Sequence, residues 1–536
     1  MKKPIVLFLA LLLTSLHPSI LQATSIEVSG PVSGSWNVDT VFVTGDVKVE
    51  SGESLAIDPG TLVVFTGHFK FTVLGSVAAA GTEGDLIRFS IGDTTGFADT
   101  LSGSGGWHGF VYEHLPSSAD SSVFEYCLFE YGKAFSADTF GMYGGAFRIF
   151  DFGRIAFRHC TFSNNLAIRW GGAVYARNAD IAVTSCTFER NRCGLAVFPW
   201  GYGGGLCSVE SEASVVGCRF AGNSATGFGG GASFEYSDPV LHHNVFMDNF
   251  GGLAGGFGFL RSEPTHVVSN NLAYGNTARF FGGGAACIRA NAVFSGNTIV
   301  NNFSAYGGGF YCNDSAVPVL YNTIIRGNSG FGHEVYIWDV RSAPSFLYCN
   351  VEGDTTDFEG SGAHQGFAGA YENNMDEDAL FRGTGDFPFA LQPGSPCVDA
   401  GTPDTSGLQV PPTDLEGLAR ICNGRIDIGA FERNPGQGIW SGNTSHTRIT
   451  AFPNPCSEEV FIRINGLSGP YCRIDIYDLY GRNIWASELL SVSGGCVELG
   501  IPAEIMTGIF KYEGIYMIKY NDPFSAGSCK LIKIKQ

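Results

Sequence analysis

Beyond its first two dozen positions the sequence has no run of about 20 apolar residues, which excludes a membrane-spanning helix from the rest of the chain. Positive charge is scarce: 32 Lys and Arg stand against 51 Asp and Glu, a formal net charge of −19. That balance argues against nucleic acid as a partner and against simple adsorption to anionic membranes. Charged residues make up only 15% of the chain while aromatics reach 13%, too little charge and too many rings for a disordered chain. Cysteine is present at 15 residues, but no Cys-x-x-Cys occurs and the 11 His fall at no metal-ligand spacing. Zinc and haem are therefore without support. There is no Gly-x-Ser-x-Gly elbow and no phosphate-binding loop, so the many glycine runs need another explanation.

Those runs belong to a repeat. A short phrase begins at Cys127, Cys160, Cys186, Cys218, Asn244, Asn271, Asn297 and Asn322, at intervals of 25 to 33 residues. Its third residue is Phe129, Phe162, Phe188, Phe220, Phe246, Ala273, Ile299 and Ile324, and five residues in stand Asn165, Asn191, Asn223, Asn249, Asn276 and Asn302. Gly132 takes that place in the first copy, and Asn328 comes one residue late in the last. A glycine pair or triplet follows in each unit, as at Gly144, Gly171, Gly203, Gly229, Gly255, Gly282 and Gly307. One supersecondary unit is thus stacked many times. Glycine triplets would cost a helix roughly 1 kcal/mol per Gly, whereas short alternating Phe, Thr and Val segments punctuated by Asn and Gly read as strand and turn. The expectation is an all-β, right-handed parallel β-helix. Its coils would rise about 4.8 Å each, so equivalent residues stack: Phe on Phe inside, Asn amides bonded up and down the stack.

The pairing of Gly-Gly-Ala (Gly144 to Ala146, Gly171 to Ala173) with Phe-x-x-Asn (Phe162 to Asn165, Phe188 to Asn191) resembles the repeats of the chlamydial polymorphic outer membrane proteins. More broadly the array is similar to the right-handed β-helix superfamily that includes pectate lyases. That resemblance covers about 200 residues and implies a fold more than an activity.

From the start, residues 1–23 carry Lys2 and Lys3, an apolar run from Ile5 to Leu13 and a cleavage position after Ala23, and read as a secretory signal peptide. Residues 24–110 read as an N-terminal cap and first coils. Gly45-Asp46-Val47 and Ile57-Asp58-Pro59-Gly60-Thr61 resemble the opening coils of exported bacterial β-helix proteins, and residues 26–40 are expected to cover the first strand edge. The regular coils run over 111–345. Residues 346–435, with Ser395-Pro396-Cys397-Val398-Asp399-Ala400-Gly401 and Asp427-Ile428-Gly429-Ala430-Phe431-Glu432, resemble the end of a choice-of-anchor Q region and read as a cap. A Cys397–Cys422 bridge is conceivable within it in an oxidising compartment. Residues 436–448 read as a linker and 449–536 as a small β-sandwich. There, Pro453-Asn454-Pro455, Ile476-Tyr477-Asp478-Leu479-Tyr480-Gly481-Arg482, Gly514-Ile515-Tyr516-Met517 and the Lys530 to Lys535 tail resemble the C-terminal sorting domain of the type IX secretion system. That resemblance implies the type IX machinery as a partner, and a secreted or outer-surface location in a Gram-negative-type bacterium.

Chemistry could sit in three places. Six residues before the phrase lies the row Arg154, Asp180, Glu212, Asp238. Three carboxylates on consecutive coils would repel, so one takes up a proton or the set shares a cation. They are the candidate catalytic pair or Ca²⁺ site, set against a plain solvated turn. No other cofactor is expected. A second row, Tyr143, Trp170, Tyr202, Phe228, Ala254, Phe281 and Tyr306, precedes the glycines. Pointing inward it is core; pointing outward it is a strip for sugar rings. Third, two longer segments, Lys133 to Tyr143 and Arg192 to Tyr202, emerge two coils apart on one edge. Phe135, Phe140, Trp170, Phe198, Trp200 and Tyr202 are the ligand-binding candidates there, against the reading that the loops merely cover a coil face. The stacked Cys127, Cys160, Cys186 and Cys218 are expected to be buried free thiols. The leading expectation is an exported, adhesin-like or carbohydrate-binding β-helix protein without catalysis, which would bind a polysaccharide or another cell surface. A polysaccharide lyase or glycoside hydrolase on the same solenoid is the alternative, and a structural spacer the second.

Overall fold

The computed structural model describes residues 24–113, 115, 119–136, 139–194, 200–385 and 387–433, together with strand segments between 448 and 533. Residues 1–23, expected to be a signal segment, most of the expected linker and parts of the expected sorting motifs lie outside these residues. Two compact units result, Met1–Asn434 and Pro435–Gln536.

The first unit is a right-handed parallel β-helix. One coil of the regular array consists of Val240–His242, Val245–Met247, Phe250–Leu253 and Phe257–Leu260. Each of these strands pairs in parallel with its equivalent one coil on, Phe188 with Phe220 and Phe220 with Phe246 for example. Strands this short bury one face only because the neighbours above and below supply the rest of the core. Inside, Phe89, Phe129, Phe162, Phe188, Phe220 and Phe246 form one column of rings, their centroids 4.6 to 5.1 Å apart. The glycine runs sit at a corner that needs both φ > 0 and close stacking. Gly171 has φ +66°, and a Cβ on Gly172 would lie 2.0 Å from the Gly204 carbonyl oxygen.

The expected amide ladder is complete. Asn191 Oδ1 accepts from both the backbone N–H (3.0 Å) and the Nδ2 (2.9 Å) of Asn165, while Asn191 Nδ2 reaches Phe162 O and Asn223 Oδ1. The same pattern repeats through Asn249, Asn276, Asn302 and Asn328. Gly132 N–H donates into its first acceptor, Asn165 Oδ1, and the Glu334 carboxylate receives both donors of Asn328 at the other end. Burial holds Glu334 up at about 8, with the Asn328 bonds opposing it. A second ladder stands at the first phrase position. Cys160 N–H meets Cys186 Sγ at 3.4 Å and Cys186 N–H meets Cys218 Sγ at 3.5 Å; then Asn244, Asn271 and Asn297 take over with 2.9–3.0 Å amide bonds. The four cysteines are free and buried, and burial pushes the Cys160, Cys186 and Cys218 thiols well above their usual range.

Four expectations need correction. In the last phrase the inward residue paired with Ile299 is Ile325, not Ile324, because that copy holds one extra residue; this is why Asn328 comes late. Residues 25–36 do not cover the first edge. Ser25–Pro31 and Gly34–Trp36 are themselves the first coil, paired in parallel with 40–48 and 55–57. Cys397 and Cys422 are free, and Asn350 Nδ2 donates to Cys397 Sγ. Finally, only part of 346–435 continues the coils, through Ser345–Leu347, Asn350–Val351 and Tyr371–Glu372. From about residue 376 the chain turns back and lies along the side of the solenoid as a strap. There Phe431, Ile428, Leu391 and Ala379 cover the outward Leu272, Val300 and Ile324.

The strap is pinned by polar groups as well. His243 Nε2 donates to Thr413 O at 2.8 Å, and Ala430 N–H donates to Thr298 Oγ1 at 2.9 Å. Beneath it Arg420, 1% exposed, pairs with Glu432 and donates to Asn270 Oδ1 and to the carbonyls of Asp427 and Gly429. Burial, reinforced by Asp427, raises Glu432 to about 7. Burial likewise raises Asp427 to about 6, against bonds from the Asp399 and Arg433 N–H groups. The docked strap therefore holds protons that an unfolded chain, its carboxyls titrating near about 4, gives up. This contribution is complete below the unfolded value and is lost as pH rises through 6 to 7. Cleavage within 376–433 is expected to be faster at about pH 8 than at about pH 5, after correction for protease activity. Equal rates would remove this account.

The second unit consists of antiparallel sheets. Val460–Asn465 pairs with Arg448–Phe452 and Cys496–Ile501, and Tyr471–Tyr477 pairs with Asn483–Ala486 and with Gly514–Asn521, which pairs in turn with Ala526–Lys533. Ile462, Ile474 and Ile476 are buried within it. Among the described residues no helix is long and apolar enough to cross a membrane.

Candidate functional site: an outer ledge of aromatic rings

The ring row lies outside the solenoid core. In Val174–Arg177, Val174 and Ala176 point inward to the main core, while Tyr175 points outward and packs with Tyr143, Trp170 and Tyr202 in a separate cluster. The row therefore forms a half-buried ledge on the outer face. Its register differs by one residue from the sequence reading: Leu253, not Ala254, pairs with Phe228 and Phe281. Ala254 occupies the glycine corner, with φ +52°.

What lies under each ring sets its exposure. Along the supporting strands the outward residues are Tyr175, Cys207, Ser233, Gly258, Ala286, Tyr311 and Tyr336. In the middle they are small and the ring sinks: Phe228 presses against Gly258 and is 2% exposed. Tyrosines at both ends prop the rings up toward solvent.

At the N-terminal end Trp170 stacks on Tyr202 with centroids 4.9 Å apart and planes 5° from parallel, and Tyr143 meets Trp170 edge-on at 5.6 Å. Trp170 Nε1 donates to Trp200 O at 2.8 Å, which ties the second loop to the ledge. Trp200 itself is 66% exposed. The loop closes where Gly194 meets Gly201, and Gly201 N–H donates to Thr226 Oγ1. Arg169 lies over Tyr143, and Arg177–Glu210 and Arg261–Glu235 ion pairs form the polar margin. Phe135 stands elsewhere. It lines an open depression of about 680 Å³ with His68, Asp93 and Ser104, beside the buried Lys133, whose ammonium donates to Gly96 O and Ser104 O. Phe198 and the Phe140 side chain lie outside the described residues.

The acidic row does come together, at one corner of an open depression of about 620 Å³ lined also by Glu210, Tyr236, Arg261 and Glu263. Its two aspartates are bonded to the next coil. Asp180 Oδ1 accepts from Glu212 N–H at 2.7 Å; Asp238 accepts from Thr265 N–H, Thr265 Oγ1, His266 N–H and His266 Nδ1. Burial would raise Asp238, but these bonds outweigh it and hold its pKa below the usual value, the reverse of a carboxyl sharing a proton. Each Asp ties its corner to the next coil, a role that carboxylates at turns commonly take. Among the described residues no group of three or more His, Cys, Asp or Glu is disposed to hold a metal ion.

Sequence reasoning missed the strap's Arg420 network and the outer rings Tyr311, Tyr336 and Trp338. The first gives no periodic signal; the other three follow the glycines, on residues the phrase alignment did not weigh. Residues 117–286 match the family model described as right handed beta helix region. No curated protein matches the chain.

Proposed function

We propose that this β-helix is an exported, surface-attached or released binding protein that holds saccharide on its outer aromatic ledge, with residues 449–536 serving as a type IX sorting domain. The observation that carries the reading is the Trp170–Tyr202 pair, two parallel rings fixed on a rigid scaffold and tied to an exposed Trp200. Apolar ring faces with polar edges suit sugar rings, and loops on a rigid scaffold are where binding concentrates. Catalysis is the weaker reading because Asp180 and Asp238 already accept backbone hydrogen bonds.

The test is binding and turnover of the full chain on a polysaccharide array, with and without Ca²⁺. The expected result is binding without new reducing ends or unsaturated products, at least about tenfold weaker after Trp170→Ala with Trp200→Ala. Product formation abolished by Asp180→Asn would replace binding with a lyase or hydrolase. No binding at all would leave the solenoid as a spacer.

A further inference from the structure

The C-terminal end of the ledge carries a larger ring cluster. Phe281 stacks on Tyr306 at 5.2 Å and on Tyr311 at 4.7 Å, and meets Trp338 edge-on at 5.1 Å. Tyr306 in turn meets Phe331 at 6.0 Å and Tyr336 at 5.3 Å. These rings are exposed: Phe331 58%, Trp338 46%, Tyr306 38%, with Phe303 at 52% and Phe280 at 45% around the corner. Single exposed rings are ordinary on a protein surface, whereas a contiguous aromatic patch marks an interaction site. Phe281 stands four coils beyond Trp170, roughly 19 Å along the axis. The two ends are distinct surfaces.

The charge around the cluster restricts its occupant. Arg341 is already bridged to Asp314 and Asp339, Glu359 lies beside Gly332 with its carboxylate 3.0 Å from His364 Nε2, and Arg279 lies over the Phe280 ring. A polyuronate finds carboxylates there, and a second copy of a chain of net charge −19 brings like charge. What fits is an uncharged partner with apolar faces and many hydroxyls, since the rings offer flat faces and the Tyr306 and Tyr336 phenols donate and accept hydrogen bonds. We propose that the Phe281–Tyr306–Phe331–Trp338 surface is a second, independent binding platform for a neutral saccharide chain.

The experiment is affinity electrophoresis of the full chain through native gels containing laminarin, xyloglucan, galactomannan or polygalacturonate. Retardation is expected in at least one neutral gel and not with polygalacturonate. It should weaken about tenfold for Tyr306→Ala with Trp338→Ala, and persist in Trp170→Ala. Phe331→Ser, at the most exposed ring, serves as a second variant should the double one misfold by circular dichroism. Absence of retardation in every neutral gel, migration of both cluster variants like the parent, or a dimer that these substitutions dissociate in sedimentation would each overturn the proposal. The last would make the surface a self-interface. Loss of retardation in Trp170→Ala alone would locate all binding at the other end and equally refute it.

Discussion

Replacing Arg420 with Ala is expected to release the strap from the side of the solenoid, at a cost of about 3–5 kcal/mol, because it strands buried charge. Among the described residues the guanidinium is the one cation paired with Glu432, and Asp427 and Asp414 also act on it. Without it three carboxyls remain under Leu391, Ile428 and Phe431, and each must find a proton or pull the segment into water. The loss should therefore shrink toward about pH 4, where those carboxyls can be neutral. Calorimetry is expected to show a new low-temperature transition at about pH 7, and proteolysis should cut within 376–433 while the coils stay protected. An unchanged melting profile at that pH would mean that apolar contact alone holds the strap.

The second large effect is expected inside the amide ladder. Asn223→Ala removes four hydrogen bonds at once: those Asn223 receives from Asn191 N–H and Nδ2, and those it gives to Phe188 O and Asn249 Oδ1. Asn249 Oδ1 keeps the backbone N–H of residue 223, but Asn191 N–H, a proton of Asn191 Nδ2 and Phe188 O lose theirs in a buried place; at about 1–3 kcal/mol each, a loss of at least about 3 kcal/mol is expected. Asn223→Asp should be worse, although it keeps the shape. A carboxylate would face the Phe188 carbonyl and Asn249 Oδ1 with no proton to offer either. Because each coil contacts chiefly its neighbours, hydrogen exchange should rise first in the coils flanking residue 223. Uniformly increased exchange along the whole solenoid would contradict this local picture.

The solenoid was legible in the sequence wherever one residue type recurs for one physical reason. Phe188 and Asn223 announce themselves because an inward ring and a buried amide must repeat at every coil. Slips came where the repeat changes length or role. Ala254 looked like a ring position because it takes the place of the first glycine of its run, and Ile324 looked inward because the late Asn328 shows that the copy is one residue long but not where the extra residue stands. Asp180 and Asp238 looked like chemistry because a row of carboxylates says nothing about hydrogen bonds to the next coil's backbone. The strap was least legible of all. Arg420 and Glu432 meet Asn270 and the coil face across some 150 positions of sequence, and only tertiary packing brings them together.

The direction of the Asn ladder has a consequence for how such a chain changes length. Every amide oxygen accepts from the preceding coil, and every amide nitrogen donates both back to a carbonyl of that coil and forward to the next amide oxygen, so each coil arrives with acceptors and donors already matched to any neighbour of its kind. A tandem duplication of a whole coil, such as the 26 residues from Cys160 to Ser185, therefore leaves nothing unsatisfied. A fractional insertion inside the phrase would break the ladders, whereas one in the loop between the Asn and the glycine corner, as at Lys133 to Tyr143 and Arg192 to Tyr202, leaves them whole. Lineages of this chain should differ by whole coils, with Gly132 and Glu334 kept as the fixed ends between which copies are gained or lost.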